Sequence, residues 1–148
     1  MNFVYGVIFP IPEWYISRFF DERKTVFIKP AALFKYLKPG QKFFFYQSRK
    51  NQGVIGEARI KNIIINENPM DFFKIFGDSV FLQKEEVQDY IKNNKKWIKN
   101  RKLKWGDKPK RPWIAIELEK IKKYKKIVQI DGFVPISGMY LERTEITE

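Results

Sequence analysis

Cysteine and histidine are both absent from this sequence of 148 residues. Their absence excludes disulfide bonds, thiolate zinc sites and every nucleophilic centre that needs an imidazole base, the Ser-His-Asp triad among them. Any catalysis would have to use lysine, tyrosine, serine, threonine or carboxylate side chains. We expect no metal site and no cofactor, and we assign no catalytic residues, with an enzyme less expected than a binding protein.

Long apolar runs are also missing. Runs such as Phe43–Tyr46 and Ile63–Ile65 have the length of a strand, far below the roughly 20 residues that a membrane-spanning helix needs. The apolar start of the chain has Arg18 as its first basic residue, and no small-residue cleavage site follows it. We expect a cytoplasmic protein that does not enter the membrane.

Aromatic residues, in contrast, are abundant, with 14 Phe, 7 Tyr and 4 Trp, and hydrophobic residues make up 44% of the chain. That composition is typical of a globular protein with a packed core and not of a disordered chain. A chain of this length has one core, so we predict a single domain over residues 1–148.

Positive charge is concentrated in one segment. The chain has 29 Lys and Arg against 17 Asp and Glu, a net charge of +12, and residues 92–126 alone account for that excess. We call residues 92–126 the basic stretch. A charge distribution of this kind is typical of a surface that binds a polyanion, the alternative being a solvated lysine-rich face. Thermophilic proteins enrich Lys and Glu together, whereas here Lys rises alone.

Hydrophobic periodicity and turn residues predict short alternating elements. The predicted helices cover residues 14–20, 31–37, 69–76 and 84–101. The predicted strands cover residues 2–9, 25–29, 42–48, 54–65 and 113–118, with a last extended region over 128–146. This order favours an α+β fold, a small mixed or antiparallel β-barrel with short helices and one longer helix packed around it.

Two segments resemble the PUA-like superfamily, in its ASCH and EVE branches. Residues 16–29 (ISRFFDERKTVFIK) resemble the ASCH pattern of a helix, a Gly-Lys-Thr turn and a strand that ends in a cation. Residues 37–48 (LKPGQKFFFYQS) and 54–60 (VIGEARI) are similar to the EVE pattern of a Gly-Asp turn, Phe-Tyr-His-Ser and Val-Gly-x-Ala. The chain looks closest to uncharacterised archaeal members. Asp21-Glu22-Arg23 replaces the usual glycine of the ASCH turn.

The resemblance implies a PUA-like barrel that binds RNA or DNA and has a pocket for a nucleobase, which in some members is a modified one. On that basis Lys24, Thr25 and Lys29 are candidate ligand-binding residues, with strand-end cations and a turn cap as the structural alternatives. Tyr46 and Ser48 share one face of a predicted strand, and they can offer a stacking ring and a hydroxyl to a base. A core-edge position is the alternative for Tyr46.

Further candidates lie in polar loops. Arg49 and Lys50 occupy a predicted hairpin tip beside the pocket strand, where they can clamp phosphate or remain a solvated turn. Trp105 lies in a loop that also contains Lys108, Lys110 and Arg111. An exposed aromatic residue among cations is typical of a base-stacking platform, although a tryptophan that anchors the loop is the alternative.

These residues favour a nucleic-acid-binding module, with RNA ahead of DNA as the partner. An ASCH-like hydrolase, either ribonuclease or amidohydrolase, is one alternative, and a protein-interaction module of a translation or RNA-modification complex is the other. The resemblance implies that the amidohydrolases pair the turn lysine with a threonine three residues later and a downstream carboxylate. Here Phe27 occupies the threonine position and Asp78 the approximate carboxylate position, which argues against that activity. The sequence leaves the recognised base and the oligomeric state open.

Overall fold

The computed structural model describes residues 4–30, 36–48, 51–93, 112–130, 132, 134–135 and 138–141. In chain order the strands are β1 (Gly6–Pro10), β2 (Val26–Pro30), β3 (Lys42–Gln47), β4 (Gly53–Asn66), β5 (Trp113–Val128) and β6 (Met139–Leu141). The helices are α1 (Glu13–Phe20), α2 (Asp71–Phe76), a 3-10 turn (Gly77–Ser79) and α3, described over 84–93. Most of the helix predicted over 31–37, and the end of the one predicted over 84–101, lie outside the described residues.

The strands form one six-stranded mixed sheet in the order β2-β5-β4-β3-β1-β6. All neighbours are antiparallel except β1 and β3, which pair in parallel from Gly6 with Lys42 to Pro10 with Tyr46. The sheet curls, so that the Phe9 ring of β1 lies 5.0 Å from the Phe27 ring of β2 although three strands separate them in the sheet. The predicted α+β barrel-like fold is confirmed.

Both faces of the sheet are covered, which explains the unbroken aromatic run of β3. Phe43 and Phe45 pack into a large cluster with α1 and α2, and Phe44 and Tyr46 pack into a smaller cluster on the opposite face. Side chains alternate between faces along a strand, so a strand covered on both sides can bury consecutive apolar residues. We call these the first and second clusters.

The strand β5 is much longer than predicted. The lysine-rich sequence after Leu118 breaks the apolar pattern and suggests that the strand ends there, but β5 continues to Val128. The backbone ladder with β4 runs from Asn66 with Trp113 to Val54 with Val128. The backbone hydrogen bonds of this ladder hold β5 in the sheet while its lysine side chains point into solvent. The side-chain pattern alone therefore does not reveal the length of β5.

The strand β2 accompanies β5 over only the first part of its course. Their last strand pair is Val26 with Glu117, and the Leu118 N–H then donates to the Thr25 carbonyl at 2.7 Å. Beyond this point, in the described part of the chain, β5 has a strand on its β4 side alone. The end of α1 lies beside the exposed edge and sets the position of the candidate site.

An ion pair joins α1 to the start of α3. The Arg18 guanidinium donates to both Glu86 oxygens at 2.6 and 3.0 Å and to the Phe81 carbonyl at 2.9 Å. Glu86 also accepts the Gln83 N–H at 2.7 Å, as a capping residue in the first turn of a helix does. The hydrogen bonds from Arg18 hold the pKa of Glu86 below its usual value. Among the described helices, none is long and apolar enough to cross a membrane.

Candidate nucleic-acid interface

A cleft opens where β2 leaves β5, and we call it the β5 cleft. One wall is the end of α1 with the turn into β2, and the other is the middle of β5. Its volume is about 410 Å³, a size common among small-molecule sites. It is lined by Phe19, Phe20, Asp21, Arg23, Thr25, Leu118, Glu119, Lys120, Ile121 and Lys123.

Two cations of this cleft have a left-handed backbone. The φ angle is 58° at Arg23 and 52° at Lys120, a conformation that costs a residue other than glycine about 1–2 kcal/mol. Arg23 lies in the turn where the ASCH pattern has its glycine, so a cation holds the conformation that glycine favours. Lys120 lies in a β-bulge, opposite the register shift between Glu57 and Arg59. Strained residues of this kind concentrate at functional sites.

The floor of the cleft is apolar and aromatic. Phe19 is buried and Phe20 partly buried, and each ring lies 5.1 Å from the Phe45 ring. Gly56 of β4 makes room for Phe20, because a Cβ atom at Gly56 would lie 2.5 Å from Cζ of that ring. An aromatic surface at the base of a cleft suits the π-face of a nucleobase.

The rim of the cleft is cationic. Arg23, Lys120 and Lys123 are exposed and line it together with two acids, Asp21 and Glu119. Beyond the cleft, residues 120–126 of β5 include five lysines and no acid. An anion that extends from the cleft along β5 therefore meets a row of lysines, with Glu57 of β4 opposite Lys122. In the described part of the chain, acidic side chains do not cluster as a metal site requires.

Two of the predicted ligand residues, Lys24 and Thr25, point into different clefts. Thr25 lines the β5 cleft, and its N–H is held by the Ser79 carbonyl at 3.0 Å. Lys24 lines a second cleft beside the start of α3, where its Nζ donates to the Asp78 carbonyl at 2.6 Å. Adjacent residues of an extended segment point to opposite sides, which separates them.

Tyr46 lies away from both clefts. Its side chain is 9% exposed and belongs to the second cluster, on the other face of the sheet from Phe19. Ser48 is exposed just beyond the end of β3. The structure therefore does not bring Tyr46 to the turn that carries Lys24, because the strand alternation places the ring on the far face of the sheet.

The second cluster has a polar border. Glu57 accepts hydrogen bonds from Lys42 Nζ at 2.5 Å and from the Tyr124 hydroxyl at 2.9 Å. Burial alone would raise the pKa of Glu57, but the hydrogen bonds from Lys42 and Tyr124 outweigh it and hold the pKa below its usual value. These partners give the carboxylate a structural role at the edge of the cluster.

Lys29 is a partly buried residue of β2. Its Nζ stands 5.0 Å from the centre of the Phe9 ring, a cation–π distance. Burial lowers the pKa of Lys29. This lysine does not line either of the two clefts described above.

The other predicted site residues lie outside the described residues. They are Arg49, Lys50, Trp105, Lys108, Lys110 and Arg111. The described part of the basic stretch consists of residues 92–93 and 112–126.

Of the ten residues that line the β5 cleft, sequence reasoning singles out only Thr25. It misses Phe19, Phe20 and Arg23, and it includes Lys120 and Lys123 only as members of the basic stretch. The sequence contains a signal for Arg23. The similar ASCH turn has glycine at this position, and glycine in a turn indicates a left-handed backbone. Lys120 and Lys123 belong to the basic stretch, whose charge predicts polyanion binding, but the sequence gives no signal for their place in the cleft, since a bulge depends on the register between two strands.

Residues 4–143 match the family described as Domain of unknown function (DUF365). Uncharacterized protein MJECS03 of Methanocaldococcus jannaschii is 41% identical over 105 residues, which cover 70% of this chain and 92% of that protein.

Solved structures show the same fold at low identity. ASCH from Zymomonas mobilis matches with a TM-score of 0.67 and 16% identity, over 93% of this chain and 87% of that one. Hypothetical protein PH0355 matches with a TM-score of 0.51 and 16% identity, over 79% of this chain and 97% of that one. The resemblance to an ASCH domain is thus confirmed for the fold.

Proposed function

The chain belongs to the DUF365 family, and we propose that it is a nucleic-acid-binding module that receives an unpaired base of RNA in the β5 cleft. The ASCH-type fold and the resemblance of residues 16–29 support a nucleic acid as the ligand. The β5 cleft is the binding site that we assign to it. The lysines of β5 and of the basic stretch then contact the phosphates on either side of the bound base.

One observation carries this proposal. Arg23 and Lys120 come from separate elements, each holds a costly left-handed backbone, and both line one aromatic-floored cleft. If these positions served only a turn and a bulge, glycine would adopt the left-handed backbone there at a lower free-energy cost. A cation at both positions, over an apolar floor, is the combination that a base with its phosphate requires.

An unpaired nucleotide fits the cleft better than a duplex does. The apolar floor lies at the bottom of a concavity, and a base can reach it only when the base is unstacked from its neighbours. A duplex offers phosphates to the exposed lysines but keeps its base faces covered. We therefore expect single-stranded RNA to bind more tightly than a duplex of equal charge at matched salt.

The remaining predicted residues have secondary places in this proposal. Lys108, Lys110 and Arg111 neutralise phosphates and Trp105 stacks on a neighbouring base, while Arg49, Lys50 and Ser48 contact RNA at the β3 end of the sheet. Lys24, Lys29 and Tyr46 support the fold around the site. The burial of Tyr46 and the carbonyl partner of Lys24 support this division.

The test is an RNA titration by fluorescence anisotropy with a short labelled single strand. Lys120→Gly removes a cation while keeping the bulge conformation, and we expect it to weaken binding by about fivefold to tenfold. Lys74→Gln is the matched control, because Lys74 is an exposed cation of α2 away from the cleft. Equal affinity of Lys120→Gly and Lys74→Gln would contradict the proposal.

A hydrolase is the second candidate function, and one observation favours it. The Lys24 ammonium lies against Asp78 in the second cleft, as an ASCH-like lysine and carboxylate pair would be expected to lie. The contact, however, is to the Asp78 backbone carbonyl, and the nucleophile position is Phe27. That ring is buried in the first cluster and stacks on Phe81 at 5.2 Å. Turnover of an acylated cytidine that is abolished by Lys24→Ala would establish the hydrolase.

A further inference from the structure

In the part of the chain that the structure describes, the far half of β4 has one edge that no strand covers. The strand β3 pairs with β4 from Gly53 to Arg59, and Ile60 then exchanges hydrogen bonds with the turn before β3, at 2.7 and 2.8 Å. The other edge of β4 stays paired with β5 as far as Asn66. Within the described ranges, the β3-side edge of residues 61–66 has no strand against it. We call residues 61–66 the β4 edge.

The hydrogen-bonding groups of this edge can be assigned. The Ile63 N–H donates to the Asn62 side-chain oxygen at 2.9 Å. An amide that bonds a neighbouring side chain is not part of the ladder with β5, so it points to the uncovered side. The register is regular from Asn62 to Asn66, and alternate residues of a strand share a direction, so Ile65 presents its N–H and C=O on the same side.

This edge lacks the usual protection against another strand. Ile65 is 64% exposed, and the sequence around it is β-prone with little net charge, as in segments that add further strands. The uncovered edge of β5 is different. It carries five lysines between residues 120 and 126, which repel a second copy of the chain.

The β4 edge is complementary to itself. Residues 61–67 read Lys-Asn-Ile-Ile-Ile-Asn-Glu. Antiparallel pairing of two copies about Ile64 places Asn62 opposite Asn66 and Ile63 opposite Ile65. It also brings Lys61 and Glu67, which flank this regular register, together at either end. Directly opposite residues of unlike charge, or of β-branched type, stabilise a pair of strands.

We propose that two copies of this chain form a two-fold dimer by pairing their β4 edges antiparallel about Ile64. The register agrees with the hydrogen-bonding groups, since Ile63 and Ile65 of the two copies then form the hydrogen-bonded pairs and Ile64 faces its own copy between them. A two-fold axis closes the assembly at two chains and leaves no further β4 edge open. The interface is small, so the dimer should dissociate on dilution.

A charge-swap cycle tests this register. Sedimentation equilibrium of the full chain, freed of nucleic acid, is measured over a concentration series for the wild type, Lys61→Glu, Glu67→Lys and the double swap. Each single reversal places like charges opposite each other twice, once on either side of the axis, so we expect dimerisation to weaken about tenfold. The double swap should return to within about twofold of the wild type. A wild type that stays monomeric at every concentration, or a double swap as weak as the singles, would overturn the proposal.

A second pair of variants locates the interface without relying on charge pairs. Ile65→Lys places a cation against the partner's strand and should abolish the dimer, with an unchanged circular dichroism spectrum. Ile75→Lys is the matched control, since Ile75 is an exposed isoleucine of α2, 54% accessible and outside the β4 edge. Loss of the dimer in Ile75→Lys but not in Ile65→Lys would place the interface elsewhere and overturn the proposal.

Discussion

Arg23 and Lys120 lie far apart in the chain, yet both have a left-handed backbone and both line the β5 cleft. The first ends the turn after α1, and the second forms the bulge of β5. Left-handed backbone costs each of them about 1–2 kcal/mol relative to a regular conformation. In the RNA-binding proposal both residues contact the same ligand. Their effect on RNA affinity can therefore be measured separately from their effect on the stability of the fold.

The first prediction concerns Arg23→Gly. Glycine adopts the left-handed turn without a steric penalty, so we expect the free energy of unfolding to stay the same or rise by up to about 1 kcal/mol. RNA affinity should nevertheless fall by about fivefold to tenfold, because a cation of the cleft is lost. Urea denaturation and anisotropy on the same preparation measure both quantities. A parallel loss of stability and affinity would mean that Arg23 serves the fold alone.

The second prediction concerns Gly56→Ala. The new methyl group would lie 2.5 Å from the Phe20 ring and 2.7 Å from the Lys122 carbonyl, so β4 or α1 must shift, at a cost of about 1–3 kcal/mol. Since Phe20 is part of the cleft floor, RNA binding should weaken as well. Gly77→Ala is a comparison for backbone strain without a clash, because Gly77 has a φ of 60° and nothing lies within 4 Å of the added atom. An unchanged thermal denaturation midpoint in Gly56→Ala would contradict the packing of Phe20 on Gly56.

The third prediction concerns the Arg18–Glu86 pair and pH. The pKa of Glu86 is lowered in the folded state by the hydrogen bonds from Arg18, so the pair stabilises the fold above the unfolded pKa, about 4.3. That contribution is lost as pH falls through the lower, folded value. Glu86→Gln should therefore destabilise the protein at pH 7 by about 1–3 kcal/mol, and the difference from the wild type should shrink towards pH 3. A difference that is constant between pH 7 and pH 3 would show that the ionised pair contributes nothing.

The fourth prediction concerns Tyr46. Because the ring is 9% exposed in the second cluster, Tyr46→Ala should destabilise the protein by about 3–5 kcal/mol, as other losses of buried aromatic rings do. Tyr46→Phe keeps the packing and should cost much less. Both variants should bind RNA normally at temperatures where they are folded. A specific loss of RNA affinity in a folded Tyr46→Ala protein would instead support Tyr46 as a base-stacking residue.

Much of the fold follows from the sequence. The turn signals and apolar spacing predict α1, β2, β3 and β4 to within a few residues, since these elements are set by local pattern. The parallel pairing of β1 with β3 does not follow, because alternation indicates that a segment is a strand but not which strand it joins. The length of β5 does not follow from the sequence either, because backbone pairing with β4 extends the strand through a lysine-rich segment that lacks an apolar pattern.

The site was less predictable than the fold. The resemblance to the ASCH turn predicts Thr25 as a site residue, and Thr25 lines the β5 cleft. Tyr46 and Ser48 were chosen by strand alternation, which indicates which residues share a face but not whether that face is covered. The segment that covers Tyr46 includes Val134, which follows β5 and a turn. Such a long-range contact leaves no local signal in the strand itself.

The basic stretch gives a prediction that rests on charge alone. With about four to six phosphates neutralised on a single strand, log affinity should fall with log salt at a slope of roughly −3 to −4. Changing Lys108, Lys110 and Arg111 together to Glu should flatten that slope and weaken all sequences alike. An unchanged slope in the triple variant would place the phosphate contacts elsewhere.

The most direct measurement of the central claim is an NMR titration of the isotopically labelled protein with a short single-stranded RNA. The account predicts that the largest amide shifts fall on the lining of the β5 cleft, at Phe20, Thr25 and residues 118–121, with smaller shifts along the rest of β5. Amides around Asp78 and in the second cluster should move little. Saturable shifts centred on Lys24 and Asp78, or no shifts at low salt, would contradict the claim that the β5 cleft receives RNA.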